Sequence, residues 1–272
     1  MADLFPQASQ SRIRVGIGGW VFAPWRNNFY PAGLVQRREL EFASRHVTAI
    51  EINGTYYGAQ QPATYAKWRD ETPEGFLFSA KAPKQITQSR KLGGTGSRIE
   101  DFIGGIIELG DKLGPLVWQF ESGRKLVAED FADFLELLPE EAGGRRLRHV
   151  LDVRDPAFIT PAFLKLARAH RVATVFTDSD EHPSYADITT DFVYARLMRS
   201  RSDVATGYPA GELKTWARHA QTWAEGGDPE DLPHVGALHS TGKPRDVFVY
   251  FISAAKERNP AAAMALLERL AG

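Results

Sequence analysis

The run Ile50-Glu51-Ile52-Asn53 alternates apolar and polar side chains, which is the period of a β-strand, and sets a carboxylate beside an amide on one face. Such groups are costly inside a sheet unless something pairs or uses them. Gly54 breaks the strand, and Thr55, Tyr56 and Tyr57 continue on a loop. An apolar strand that turns polar at its C-terminal end is the wall of an α/β site. The rest of the chain repeats that unit.

The same reading predicts strands at 13–18, 47–53, 76–81, 115–120, 149–154, 172–177, 192–197 and 247–251. Helices are predicted at 35–45, 62–70, 98–113, 128–138, 161–170, 211–225 and 260–270, with only a short helix or loop at 181–187. The strands end in polar or small residues: Gly18, Glu51, Asn53, Lys81, Gln119, Asp152, Arg154, Asp178, Arg196 and Tyr250. An open doubly wound sheet would bring together only those near its switch point. A closed ring brings all of them to one mouth, so the expected fold is a single α/β domain, a (β/α)8 TIM-like barrel over 13–272 after an N-terminal tail, 1–12.

A formal net charge of −1 gives bulk attraction to neither nucleic acid nor anionic lipid. The absence of cysteine removes disulfides, thiolate nucleophiles and cysteine metal sites. Residues 1–11 lack the apolar core of a signal peptide, and no apolar run approaches the ~20 residues of a membrane span, so a soluble cytoplasmic protein without membrane attachment is expected.

Several blocks together resemble the DUF72 (YecE-like) family. These are Val15-Gly16-Ile17-Gly18-Gly19-Trp20 with Trp25 and Phe29-Tyr30-Pro31, and Glu51 to Tyr57 followed by Pro62 and Trp68. Phe78-Ser79-Ala80-Lys81 with Pro83 and Lys84, Leu113-Gly114-Pro115, Gln119-Phe120, Asp191 to Arg196, and Val249-Tyr250-Phe251 are also similar. The resemblance implies a TIM-like barrel and carries no assigned reaction. The chain departs from the commoner pattern at Glu121-Ser122, where Pro-Pro is usual, and at Asp152, where Glu is. It also departs at Met198-Arg199, where His-Gly is usual, and at Ile252-Ser253, where Asn-Asn is.

Glu51, Asp152 and Asp178 are the candidate catalytic groups, as a general acid–base set or as ligands of a divalent metal. The alternative makes them ion pairs, Glu51 with Lys81, and Asp152 with Arg154 or Arg196. Beside Glu51, Lys81 is expected to have a raised pKa and to stay cationic. Trp20, Asn53, Tyr56, Tyr57, Lys81, Gln119, Arg154, Arg196 and Tyr250 are the candidate substrate-binding residues. Trp25, Lys84, Arg90, Lys91, Arg199, Arg201, Lys243 and Arg245 are expected on loops around the mouth, as are His182, His234 and His239. Gly93-Gly94-Thr95-Gly96 lacks a Walker ending and reads as a flexible lid. The functional expectation is an enzyme that hydrolyses a small phosphate- or sugar-phosphate-bearing substrate. The alternatives are a non-catalytic ligand- or nucleic-acid-binding barrel, and a metal-free lyase, isomerase or glycosidase.

Overall fold

The computed structural model describes residues 11–123 and 127–272, so most of the proposed tail, 1–10, lies outside the described residues. Eight parallel strands close a barrel: β1 Ile13–Gly18, β2 Ala49–Ile52, β3 Leu77–Lys81, β4 Leu113–Phe120, β5 His149–Val153, β6 Ala173–Asp178, β7 Phe192–Leu197 and β8 Asp246–Phe251. Pairing of β1 with both β2 and β8 closes the ring. Helices α1 Glu39–Ala43, α2 Pro62–Glu71, α3 Gly96–Ile106, α4 Ala128–Glu136, α5 Pro161–Ala169, α6 Ala210–Ala224 and α7 Asn259–Ala271 alternate with the strands. No helix follows β6; its connection to β7 is irregular. A two-residue hairpin pair, Glu141–Ala142 with Arg145–Arg146, precedes β5. Among the described residues no helix is long and apolar enough to cross a membrane.

The strand period sorts side chains into two cores. Val15, Ile50, Phe78, Trp118, Leu151 and Ala195 face outward and pack under the helices. Ala49, Val117, Val150, Val175, Tyr194, Phe248 and Tyr250 fill the barrel. The helices supply the outer apolar stripe at the expected spacing, as in Phe131, Phe134 and Leu135 of α4. Pro62 and Pro161 sit in first turns, where a missing N–H is not needed. The tail of α5 is fixed at its start by Thr160, whose hydroxyl accepts from the Phe163 amide at 3.2 Å.

Two inward glycines of β1 let the wall close. A Cβ on Gly16 would lie 2.1 Å from the Ala49 carbonyl oxygen and 3.0 Å from the Tyr250 ring. No rotamer relieves a clash with backbone, so the β1–β2 ladder itself would have to move. Gly104 in α3 has nothing within 4 Å of its Cβ position. Gly16→Ala is therefore expected to destabilise the barrel by about 3 kcal/mol, while Gly104→Ala stabilises it by up to ~1 kcal/mol. Denaturant melts of the two variants check this, and a Gly16→Ala midpoint equal to wild type would contradict the packing described.

Candidate functional site

The C-terminal ends of the strands build the site in two tiers. In the lower tier Arg196 of β7 lies across the barrel axis, buried. Its Nε donates to Glu51 Oε2 at 2.9 Å, and its Nη1 donates to Asp152 Oδ2 at 2.5 Å. The Tyr194 hydroxyl donates to the same Glu51 oxygen at 2.5 Å and lies 2.8 Å from Ser79 Oγ. One guanidinium thus serves carboxylates from β2 and β5. The pairing sets the charges: burial alone would push the Asp152 carboxyl up, but Arg196, then Arg154 and Lys81, hold it below the ordinary carboxylate range. Burial lowers the Arg196 pKa, and Glu51 and Asp152 more than reverse that.

The upper tier is an open cleft of about 360 Å³ whose walls include Asn53, Tyr56, Tyr57, Lys81, Gln119, Glu121, Arg154, Ser253 and Lys256. Arg154 reaches down to Asp152 Oδ2 at 3.3 Å and sideways to Glu121 Oε2 at 3.3 Å and Gln119 Oε1 at 3.1 Å. The Tyr56 hydroxyl donates to Glu121 Oε1 at 2.8 Å. Burial first, and then this bond, push the Tyr56 phenol up to about 12. For Glu121, burial is outweighed by Tyr56, Arg154 and Gln119, so its carboxyl is lowered.

Two ammonium groups in the cleft are poorly matched. Lys81 Nζ is 4.0 Å from Glu51 Oε1, too far for a hydrogen bond. Lys256 lies over the rings of Phe22 at 4.6 Å and Trp25 at 5.5 Å, and among the described residues it has no carboxylate partner. Burial lowers its pKa. The sequence expectation for Lys81 is reversed: burial, then Arg196, lower it to about 8, against the pull of Glu51 and Asp152. The reason is that Glu51 already belongs to Arg196.

The structure brings Glu51, Lys81, Asp152 and Arg196 to one end of the barrel. Tyr250 is buried inside beneath them, and Trp20 stands in an adjoining aromatic chamber. Asp178 is not with them. Val175 and Thr177 take the inward positions of β6, so Asp178 faces a separate pocket of about 750 Å³ beside Arg199 and Trp216. There Arg199 Nε approaches it at 3.3 Å, and burial raises its pKa. Three carboxylates therefore do not converge on a divalent cation, and the two that come close are engaged by Arg196. Among the described residues no group of three or more His, Cys, Asp or Glu side chains could hold a metal ion.

Other loop expectations also change. His234, His239, Lys243 and Arg245 lie between the end of α6 and the start of β8, which is the opposite end of the barrel from the mouth. There Asp228 holds His234 at 3.1 Å and accepts the His239 amide at 2.8 Å. Trp25 is fully buried, and its indole N–H donates to the Lys256 carbonyl at 2.8 Å. Arg90 and Lys91 line a different surface groove with Arg98. The glycine-rich run is held to α4, because Asp130 accepts the Leu92 and Gly93 amides at 2.8 and 2.9 Å. His182 stays near the rim, lowered by burial and then by Arg154. Glu121 and Lys256 were not singled out from sequence. Glu121 shares the parity of Gln119 one step beyond the strand, which was a usable signal; Lys256 had none.

The family model described as "Protein of unknown function DUF72" matches residues 14–272. The chain belongs to the DUF72 family. The UPF0759 protein YecE of Escherichia coli (strain K12) is 26% identical over 149 residues, 54% of this chain and 50% of YecE. YunF of Bacillus subtilis (strain 168), also UPF0759, is 31% identical over 75 residues, 28% of this chain and 26% of YunF. The matched part of the chain thus spans about half the length of YecE and less of YunF. A DUF72 crystal structure from Thermotoga maritima superposes with TM-score 0.70 at 17% identity, covering 95% of this chain and 98% of that one. One from Enterococcus faecalis gives 0.69 at 15%, covering 96% of each. The structure of SacUVDE gives 0.54 at 9% identity, covering 95% of this chain and 98% of that one, a likeness of fold alone. DUF72 members thus share the barrel on which this mouth is built.

Two substitutions test the tiers. With Lys81 charged, its depressed pKa corresponds to roughly 3 kcal/mol of destabilisation. That penalty is complete below about pH 8 and is relieved as pH rises towards the ordinary lysine value of 10.5. Lys81→Met is expected to raise stability at pH 7 by a few kcal/mol, with the gain gone near pH 10.5. Arg196→Met should cost about 3–5 kcal/mol by leaving buried Glu51 without a cation at hydrogen-bond distance and Asp152 with Arg154 alone. Adding Glu51→Gln and Asp152→Asn should recover much of it. Denaturation curves across pH measure both, and a destabilised Lys81→Met at pH 7 would contradict the first.

Proposed function

We propose that the barrel mouth binds a small phosphate-bearing substrate and hydrolyses its ester. The supporting observation is the charge imbalance of the cleft: its acid, Glu121, is already paired with Arg154, Lys81 meets Glu51 only at 4.0 Å, and among the described residues Lys256 has no carboxylate partner. A substrate dianion would supply the missing counter-charge. Below about pH 8 Lys81 carries a proton. It holds the phosphoryl oxygens and donates that proton to the departing oxygen as water bonds to phosphorus and the ester P–O bond breaks. Neutral Lys81 then takes up the proton that the water releases. Arg154 and Lys256 balance charge on the phosphoryl group, and Gln119, Asn53 and Tyr56 orient it. Glu51, Asp152 and Arg196 act from below by fixing the position and charge of Lys81.

A second reading, binding without turnover, is favoured by one observation: Glu51 and Asp152 are sealed into ion pairs and do not line the cleft. Anion binding is common to both readings. Sulfate keeps its charge over the relevant range, so its affinity should fall about tenfold or more between pH 6.5 and 9.5 as Lys81 deprotonates. Calorimetric titration of wild type and Lys81→Met checks this. Binding that is absent at both pH values, or unchanged in the variant, would refute the anion site. Turnover across a panel of phosphate mono- and diesters, lost in Lys81→Met, separates enzyme from binder.

A further inference from the structure

The charged cleft is joined to a second chamber of about 320 Å³, and the two share Gly18, Asn53 and Lys256. Trp20 and Trp68 form its apolar wall, edge to face with ring centroids 4.9 Å apart, and Gln60 adds an amide. Among the described residues no acidic side chain lines it, and Lys256 is its one charge. Lys256 lines both chambers, while the Asn53 amide and the Ile252 side chain pack closely over Gly18, 3.1 and 3.4 Å from where a Cβ would sit. A single ligand can therefore place an anion among Lys81, Arg154 and Lys256 and reach past Lys256 into the adjoining aromatic chamber.

The chamber selects what that extension is. A sugar ring carries hydroxyls on every side, and each one buried against indole without a partner is unfavourable. A flat heterocycle presents two apolar faces to the indoles and confines its polar groups to the edge. Two side-chain amides are placed for such an edge. Among the described residues, Gln60 Nε2 donates to the Gly58 carbonyl and its Oε1 has no partner, and the Asn53 side chain makes only a long 3.5 Å contact to the Glu51 carbonyl. We infer that the ligand is a phosphate ester carrying a flat heterocycle, as in a mononucleotide, with the phosphate in the lysine cleft and the ring between Trp20 and Gln60. This rests on the anion reading above and adds the chemistry of the other half of the ligand.

Calorimetric titration of the full chain at pH 7 with inorganic phosphate, ribose 5-phosphate and adenosine 5′-monophosphate tests it. The nucleotide is expected to bind about tenfold or more tightly than ribose 5-phosphate. Trp20→Ala should remove most of that advantage and leave inorganic phosphate affinity within twofold. If Trp20→Ala fails to fold, Gln60→Glu, on a partly exposed side chain, should weaken the nucleotide selectively. Equal affinity for the nucleotide and ribose 5-phosphate, or equal losses for nucleotide and inorganic phosphate in Trp20→Ala, would overturn the inference and leave the anion site standing. Failure of all three to bind would overturn both.

Discussion

Arg196 is the charge on which the top of the barrel depends. Glu51 and Asp152 come from strands on different sides of the ring and are both buried. Without a cation between them, two desolvated carboxylates would face the same small space. Arg196 spans that space because a guanidinium offers donors in fixed, divergent directions, which a lysine does not. Tyr194, next but one on β7 and on the same inward face, adds a hydroxyl to Glu51 and a contact to Ser79 of β3. Four strands are thereby tied together by polar contacts at a level where an ordinary barrel would place apolar side chains.

A buried network of this kind is weak evidence of stability, since well-packed apolar side chains would serve at least as well. Its effect is seen one layer higher. With Glu51 committed to Arg196, Lys81 is held in a buried position without full compensation, and its pKa drops. With Asp152 committed to Arg196, Arg154 is shared with Gln119 and Glu121 on the cleft wall. Lys256 is fixed by its main chain, through Trp25, instead of by a carboxylate. The lower tier thus takes up the negative charge and leaves the positive charge facing solvent. On the anion-binding reading proposed above, the stability given up at Lys81 is the counterpart of that affinity.

The barrel was legible because its evidence is local and repeated. Nearly every strand carries a polar or small residue on one face near its C-terminal end, and period-two parity assigns Glu51, Lys81, Gln119, Asp152, Arg154 and Arg196 to the inside, where the structure has them. The same parity, carried one residue too far, misplaced Asp178: Thr177 is the inward residue, and Asp178 turns to the other side of β6. The loop histidines were misplaced for a different reason. Chain order says only that 225–245 is a long polar connection; which end of the barrel it covers follows from the direction of α6, since helix-to-strand loops lie opposite the mouth. Partner choice was the least legible. The sequence reading pairs Glu51 with Lys81 and leaves Arg196 to Asp152; the pairing of Glu51 with Arg196, which reverses the expected shift of Lys81, depends on distances across the ring that no local pattern encodes.

The departures from the commoner family pattern fall mainly above the lower tier. Glu121 and Ser253 line the charged cleft, Ile252 abuts Gly18, and Met198 and Arg199 line the pocket that takes Asp178. In the lower tier the one change is Asp152 for the commoner Glu, which keeps the carboxylate and shortens its reach, and Arg196 still meets it at 2.5 Å. Ser253 and Ala254 adopt left-handed backbone with φ of 60° and 47°, a strained conformation for residues with a Cβ. Buried Asn259 holds that turn, donating to the Ser253 carbonyl at 3.1 Å and accepting from Ser200 Oγ at 2.7 Å. The turn leads directly into Lys256. The changes and the strained turn thus gather at the rim, above the paired charges of Glu51, Asp152 and Arg196; on the reading proposed above, the lower tier sets the sign of the ligand's charge and the rim sets what else the ligand carries.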